Sequence, residues 1–333
     1  MTHRLLLFAC SLLIFSACRD DFSLEGDFQD IPTAYAYLDA DDSRHFVRVQ
    51  KAFLESGGNA VTNAGIADSI YYGTNDATVI MRNLTTGEQV ELERVDARDF
   101  GRNRADGVFS NDPNIAYTFT EDELNLRERD EVQLLIERPG QTTAVATTTM
   151  LESLEIQRPT TEVRVDNPGR PLIMSWTKGD AAKVYDVRII FNIRELFPQD
   201  ASQNRDRTLV WEVANAYVDG DGGESQVRFE LASPGFYRFL QGALEVDPNV
   251  VRRFVNFDVQ VTAAGQEVFD LLTLQNANSG ITSSGALPRY TNLEGGIGLI
   301  TSTTQSTNTG ITFDRNSLDS LENGQFTREL GFQ

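Results

Sequence analysis

Between Ala34 and Thr262 the chain returns again and again to the two-residue period of a β-strand, and this recurrence is what most limits the folds open to it. Short runs rich in β-branched and aromatic residues recur at Ala34–Leu38, His45–Phe53, Ala77–Met81, Val90–Val95, Ile115–Phe119, Val132–Glu137 and Thr142–Met150, with turn residues between them. Asn83-Leu84-Thr85-Thr86-Gly87 reads as a hairpin connection, with glycine where positive φ is needed. No long helical period interrupts the series, so residues 31–157 are predicted to form an antiparallel sandwich.

Arg158-Pro159-Thr160-Thr161 reads as a linker, after which residues 158–333 start a second β region. A strand over Pro171–Thr177 ends in Ser175-Trp176, a Lys178-Gly179-Asp180 turn follows, and Val184–Phe191 alternates again. That arrangement resembles the second and third strands of a fibronectin type III or immunoglobulin-like sandwich, with Trp176 as its core aromatic. Further strands are predicted at Thr208–Val213, Gln226–Leu231 and Phe254–Thr262. Ser233 and Pro234 open an amphipathic helix with Phe236, Phe239, Leu240 and Ala243 on one face, and Glu267–Leu274 is a weaker helix. The expected fold is mainly β: two immunoglobulin-like or fibronectin-like antiparallel β-sandwich domains, the second with one or two short helices and a polar tail from Thr301 to Gln333.

The first residues fix an address. His3 and Arg4 precede an apolar run over Leu5–Phe15, too short to span a bilayer permanently, and Ser16-Ala17 places small residues before Cys18. Phe15-Ser16-Ala17-Cys18 resembles a bacterial lipobox, although Phe15 stands where leucine is usual. Residues 1–17 then form a lipoprotein signal peptide, Cys18 becomes the diacylated first residue, and residues 18–30 form an acidic tether. Two acyl chains on one cysteine give stable membrane anchoring. An ordinary secretory signal with a chance cysteine is the alternative. Arg19-Asp20-Asp21 is similar to the surface-export signal of Bacteroidota lipoproteins, which implies the outer face of the outer membrane; a solvated acidic tether is the competing reading.

Charge and cysteine content narrow the function. The chain holds 29 Lys+Arg against 49 Asp+Glu, a net charge of -20, which disfavours nucleic acid and anionic headgroups as partners through any broad basic surface. Cys10 lies within the signal, so a chain starting at Cys18 has no disulfide pair and depends on its own cores.

Catalytic machinery is sparse. His45 is the sole histidine beyond the signal, no Gly-x-Ser-x-Gly elbow accompanies it, and a lone strand histidine is usually a packing or surface residue. Zinc is disfavoured because only carboxylates remain to hold it. Asp219, Asp221 and Glu224 on a Gly-rich loop suit Ca²⁺ by oxygen chemistry but lack the EF-hand spacing, and a polar hairpin loop is the plainer reading; Asp39-Ala40-Asp41-Asp42 reads as an acidic turn. Glu294-Gly295-Gly296-Ile297-Gly298 has neither the context nor the lysine of a phosphate cradle, and its glycines suit close packing against a neighbouring strand. Asp68-Ser69-Ile70 and Asp319-Ser320-Leu321 fit the short O-glycosylation pattern of exported Bacteroidota proteins, giving Ser69 and Ser320 as acceptors.

Ala77-Thr78-Val79-Ile80-Met81 with its Thr-Gly turn, Ile115-Ala116-Tyr117, Trp176-Thr177-Lys178-Gly179-Asp180-Ala181-Ala182, and above all the closing Tyr290-Thr291-Asn292-Leu293-Glu294-Gly295-Gly296-Ile297-Gly298-Leu299 resemble the Bacteroidota lipoproteins of the domain-of-unknown-function family four-two-four-nine. The resemblance implies address and fold without chemistry. The expectation is an outer-membrane-anchored, non-enzymatic binding or accessory module of the envelope, working beside an outer-membrane transporter or other envelope protein. A carboxylate-dependent envelope hydrolase and a purely structural envelope protein are the alternatives.

Overall fold

The computed structural model describes residues 30–52, 60–219, 225–277 and 289–333. Among these, the first sandwich is built from β1 (Pro32–Leu38), β2 (Arg44–Lys51), β3 (Thr78–Asn83), β4 (Gln89–Glu91), β5 (Glu93–Asp96), β6 (Ile115–Thr120), β7 (Glu131–Glu137) and β8 (Ala144–Thr149). One layer runs β1-β2-β6-β5 and the other β4-β3-β7-β8. With the strands lettered along the chain, that is A-B-E-D against C′-C-F-G, an immunoglobulin-like order. The alternation that predicts the strands also supplies the core. β1 buries Ala34, Ala36 and Leu38 and turns Tyr35 and Tyr37 outward, and Val79, Met81, Leu134 and Ile136 meet them from the other layer. Gly87, at φ 82°, closes the β3–β4 hairpin, where Asn83 Oδ1 accepts from the backbone N–H groups of Thr85 and Thr86. Between β2 and β3, α1 (Ala60–Ala64) and α2 (Ala67–Ile70) are too short to show a helical period in the sequence.

The second sandwich comprises β9 (Ile156–Arg158), β10 (Glu162–Val163), β11 (Leu172–Thr177), β12 (Val184–Leu196), β13 (Arg205–Tyr217), β14 (Gln226–Leu231), β15 (Val251–Ala264) and β16 (Ile297–Phe313). Its helices are α3 (Pro234–Ala243), α4 (Gln266–Ala277) and α5 (Arg315–Asn323). Layer β14-β11-β9 faces β13-β12-β15-β16, the E-B-A against C′-C-F-G order of a fibronectin-type sandwich. Trp176 is fully buried at its centre, with ring centroids 5.4 Å from Tyr185 and 6.5 Å from Tyr217. α3 seats Phe236 and Leu240 over a cluster with Phe191, Phe257 and Phe313. Its expected serine cap is absent: Ser233 has helical dihedrals and its hydroxyl donates 2.5 Å to the Arg170 carbonyl, so Pro234 alone marks the start. The presumed linker is also partly ordered into sheet, since Arg158 ends β9.

The largest departure from expectation is the polar tail. Thr301–Phe313 belongs to β16, a strand of 17 residues, followed by α5. Its first part pairs in parallel with β1, from Thr33 opposite Ile297 to Leu38 opposite Ser302, and its second part pairs antiparallel with β15. One continuous sheet therefore runs β13-β12-β15-β16-β1-β2-β6-β5 through both sandwiches. Hydroxyl-bearing residues can be buried here because they are satisfied. Ser302 Oγ accepts from Leu151 N–H and donates to the Leu38 carbonyl, each at 2.9 Å, while Thr301 Oγ1 donates to Glu267. Close packing at the glycines is observed as expected: a Cβ on Gly298 would lie 1.8 Å from the Ala34 carbonyl oxygen. On the flank of β16 away from β1, the Asn292 side chain takes the place of a strand, accepting from Ile300 N–H at 3.0 Å and donating to the Ile300 carbonyl at 2.7 Å. Leu293 and Ile300 thereby enter the first core.

One buried ion network holds the far end of the second sandwich. Glu195, fully buried, accepts from Arg205 at 2.7 Å, Arg252 at 3.0 Å and Arg207 at 3.3 Å. Arg252 also donates to the Leu330 carbonyl at 2.6 Å, fastening the C-terminal segment.

Candidate functional site

The residues singled out in the sequence do not converge on one centre. Cys18, Arg19, Asp20 and Asp21 lie outside the described residues, as do Asp221 and Glu224. Asp219 follows β13 and accepts an ion pair from Lys178 Nζ at 3.1 Å, so this carboxylate already faces a cation. Ser69 in α2 and Ser320 in α5 are both half-buried. His45 is a packing residue, stacked on Phe119 at 4.7 Å and 2 % exposed; burial pushes its imidazole pKa down, outweighing the upward pull of Asp42. Asp39 lies in the β1–β2 turn, where burial first, and then Asp41 and Asp42, raise its carboxyl above the ordinary range against a lowering bond from Asp41 N–H. Among the described residues, no group of three His, Cys, Asp or Glu side chains could hold a metal ion, and no helix is long and apolar enough to cross a membrane.

What the fold does assemble is an arginine–aromatic face on the outer side of β1 and β2. Strand alternation turns Tyr35 and Tyr37 outward, 44 % and 56 % exposed, and β2 presents Arg44, Phe46 and Arg48 on the same side, with Arg48 directly opposite Tyr35. The connection from β5 to β6 folds back onto this surface. Asp96 caps a 3₁₀ turn over Ala97–Phe100 by accepting from Arg98 N–H, and Gly101 at φ 72° reverses the chain. Asn114, fully buried, donates to the Arg102 carbonyl and accepts from Arg48, both at 2.8 Å, so loop and strand are tied through one amide. A ladder of cations and rings results. Arg44 lies 5.0 Å from the Phe100 ring, Phe100 meets Phe46 edge-on at 5.5 Å, Arg102 lies 4.3 Å over Phe46, and Arg104 lies 4.4 Å over Phe109.

The arginines of this face are only partly satisfied: Arg44 lies in the field of Glu123, and Arg48 is held by Asn114 and Tyr71. Among the described residues Arg44, Arg48, Arg102 and Arg104 form no ion pair, whereas nearby Asp96 is engaged by Arg98 at 2.6 Å, which holds that carboxyl down to about 2. Arg104 Nη1 is buried without a hydrogen-bond partner. Burial, and after it the neighbouring Arg104 cation, hold the Arg48 guanidinium below its ordinary pKa. Two like charges kept together in a half-buried setting suit an anion from outside the chain. The aromatic alternation of β1 and β2 is legible in the sequence, but the pairing with Arg102 and Arg104 is not, because some 50 residues separate them and only the loop fold joins them.

No family model matches the chain, and no curated protein matches it significantly. Among solved structures it is similar to a chain described under structural insight into host cell surface retention of a 1.5-MDa bacterial ice-binding adhesin, at 8 % identity and a TM-score of 0.18. The match covers 86 % of this chain and 66 % of that one, just under two thirds of its length.

Proposed function

We propose that the protein is an outer-membrane lipoprotein, diacylated at Cys18, that serves as a non-catalytic binding or accessory module of the cell envelope and engages an acidic partner through the arginine–aromatic face. One observation carries this reading: Arg48 and Arg104 sit side by side with no carboxylate partner among the described residues, on a chain whose net charge is -20. A carboxylate or phosphate group on a partner would satisfy both guanidinium groups, and the exposed rings of Tyr35 and Tyr37 would add apolar contact. The lipobox-like Phe15-Ser16-Ala17-Cys18 and the closing Tyr290–Leu299 segment support the address.

A photo-crosslinking residue at Tyr37, used in intact envelopes, tests the face. A discrete adduct is expected, and Arg104→Glu should abolish it while leaving the amount of tethered protein unchanged. An adduct indifferent to charge reversal at Arg104 would remove the basis for this reading. For the anchor, Cys18→Ser should eliminate lipid mass and membrane fractionation. Alanine at Arg19, Asp20 and Asp21 should turn surface-exposed protein into protease-protected protein.

A further inference from the structure

A second feature, independent of the arginine–aromatic face, lies at the end of the second sandwich where the β11–β12 turn, the exit from β13 and the first turns of α4 come together. They enclose a half-open cavity of about 400 Å³, within the size range of small-ligand sites. Its floor includes Tyr185, 1 % exposed, whose hydroxyl is buried and has no hydrogen-bond partner. A native core rarely leaves such a group unpaired, and the Tyr185 side chain lines this cavity. The hydroxyl keeps its proton, since burial and then Asp219 push its pKa up to about 12, so it is available as a donor. The Nε1–H of Trp176, whose ring is 5.4 Å from that of Tyr185, is a second buried donor without a partner.

The remaining walls narrow the ligand. Lys178 and Asp219, paired at 3.1 Å, set a donor beside an acceptor, as vicinal hydroxyl groups require. Gln266 gives its amide N–H to Asp270, leaving its side-chain carbonyl as a further acceptor. Phe269 supplies an aromatic wall against which the C–H face of a saturated ring can lie. Lys183 holds only the backbone carbonyl of Asp180, at 3.2 Å, and has no carboxylate partner among the described residues, so its charge is open to an anion. We propose that this cavity binds a single acidic sugar, a pyranose bearing one carboxylate, with Lys183 on the carboxylate, Tyr185 and the Lys178–Asp219 pair on hydroxyl groups, and Phe269 against the ring.

Titration of the full chain with glucuronate, glucose and acetate, followed by calorimetry and ligand-observed NMR, tests this. Glucuronate should bind saturably and glucose roughly tenfold more weakly, the difference reporting one charge-assisted contact. Acetate should not compete at equal concentration. Tyr185→Phe should weaken both sugars by roughly three- to tenfold, the worth of one neutral hydrogen bond. Lys183→Gln should erase the preference for glucuronate while retaining glucose binding, and Arg104→Glu should leave both unchanged. Thermal melts matching the parent chain show that the variants are folded. Absence of saturable sugar binding, equal competition by acetate, or affinities unmoved in folded Tyr185→Phe and Lys183→Gln chains would overturn the proposal.

Discussion

The two sandwiches share a C′-C-F-G layer but use arginine in opposite ways. In the second, Arg205, Arg207 and Arg252 converge on a buried Glu195 and fasten the C-terminal segment. In the first, Arg44, Arg102 and Arg104 lie over aromatic rings, Arg48 neighbours Arg104, and none of the four forms an ion pair among the described residues. Clustered arginines are therefore not one kind of feature. Where an internal acid completes the cluster, its work is to hold the fold; where none does among the described residues, the cluster has no ion pair to contribute.

The contrast can be broken most forcefully at Glu195. Glu195→Gln leaves Arg252, 3 % exposed at its side chain, buried without its counter-charge, and should cost about 3–5 kcal/mol in denaturant unfolding. The pH dependence has a defined sign. Burial pushes the Glu195 carboxyl up, but Arg205 and Arg252 outweigh it and bring its folded-state pKa below the ordinary 4.5. Its contribution is therefore complete above the unfolded value and is lost as pH falls through the folded one. An acid-unfolding series should show that loss in the parent and not in Glu195→Gln. An intermediate effect is expected at the seam between the sandwiches. Gly298→Ala drives a methyl group into the Ala34 carbonyl and should destabilise by about 1–3 kcal/mol, with backbone exchange quickening in β1 and β16 before the interior of β12.

These sites also mark what could be read in advance. The strands with apolar alternation, Trp176 in the core and the helix over Phe236 and Leu240 were legible because burial there is carried by apolar side chains at a fixed period. β16 was not. Its buried residues include Thr301, Ser302 and Thr304, whose polarity resembles a tail until Leu38, Leu151 and Glu267 are seen to hold the Thr301 and Ser302 hydroxyls. The arginine face was hidden for a different reason. Its halves are distant in sequence and joined by a loop whose course depends on Asn114, a single buried amide with no periodic signature. The cavity beside Tyr185 was hidden too, because an unpaired hydroxyl is a property of what surrounds it.

Arg104→Ala should change unfolding free energy by no more than about 1 kcal/mol, since it gives up the Phe109 contact but removes a like charge from beside Arg48 and breaks no ion pair among the described residues. If it destabilises as Glu195→Gln does, the first cluster is structural after all and the distinction between the two sandwiches fails.

β16 carries a consequence for the order in which the molecule is made. The Leu38 carbonyl accepts from the Ser302 hydroxyl, and Leu293 and Ile300 close a core otherwise drawn from the first half of the chain. A ribosome delivering the N-terminal end first thus supplies most of the first sandwich long before the strand that flanks its β1 edge. The earlier part must wait, with that edge open, until the later part arrives. Completion of both halves then becomes a single late event, and a chain cut short before residue 300 leaves neither half finished.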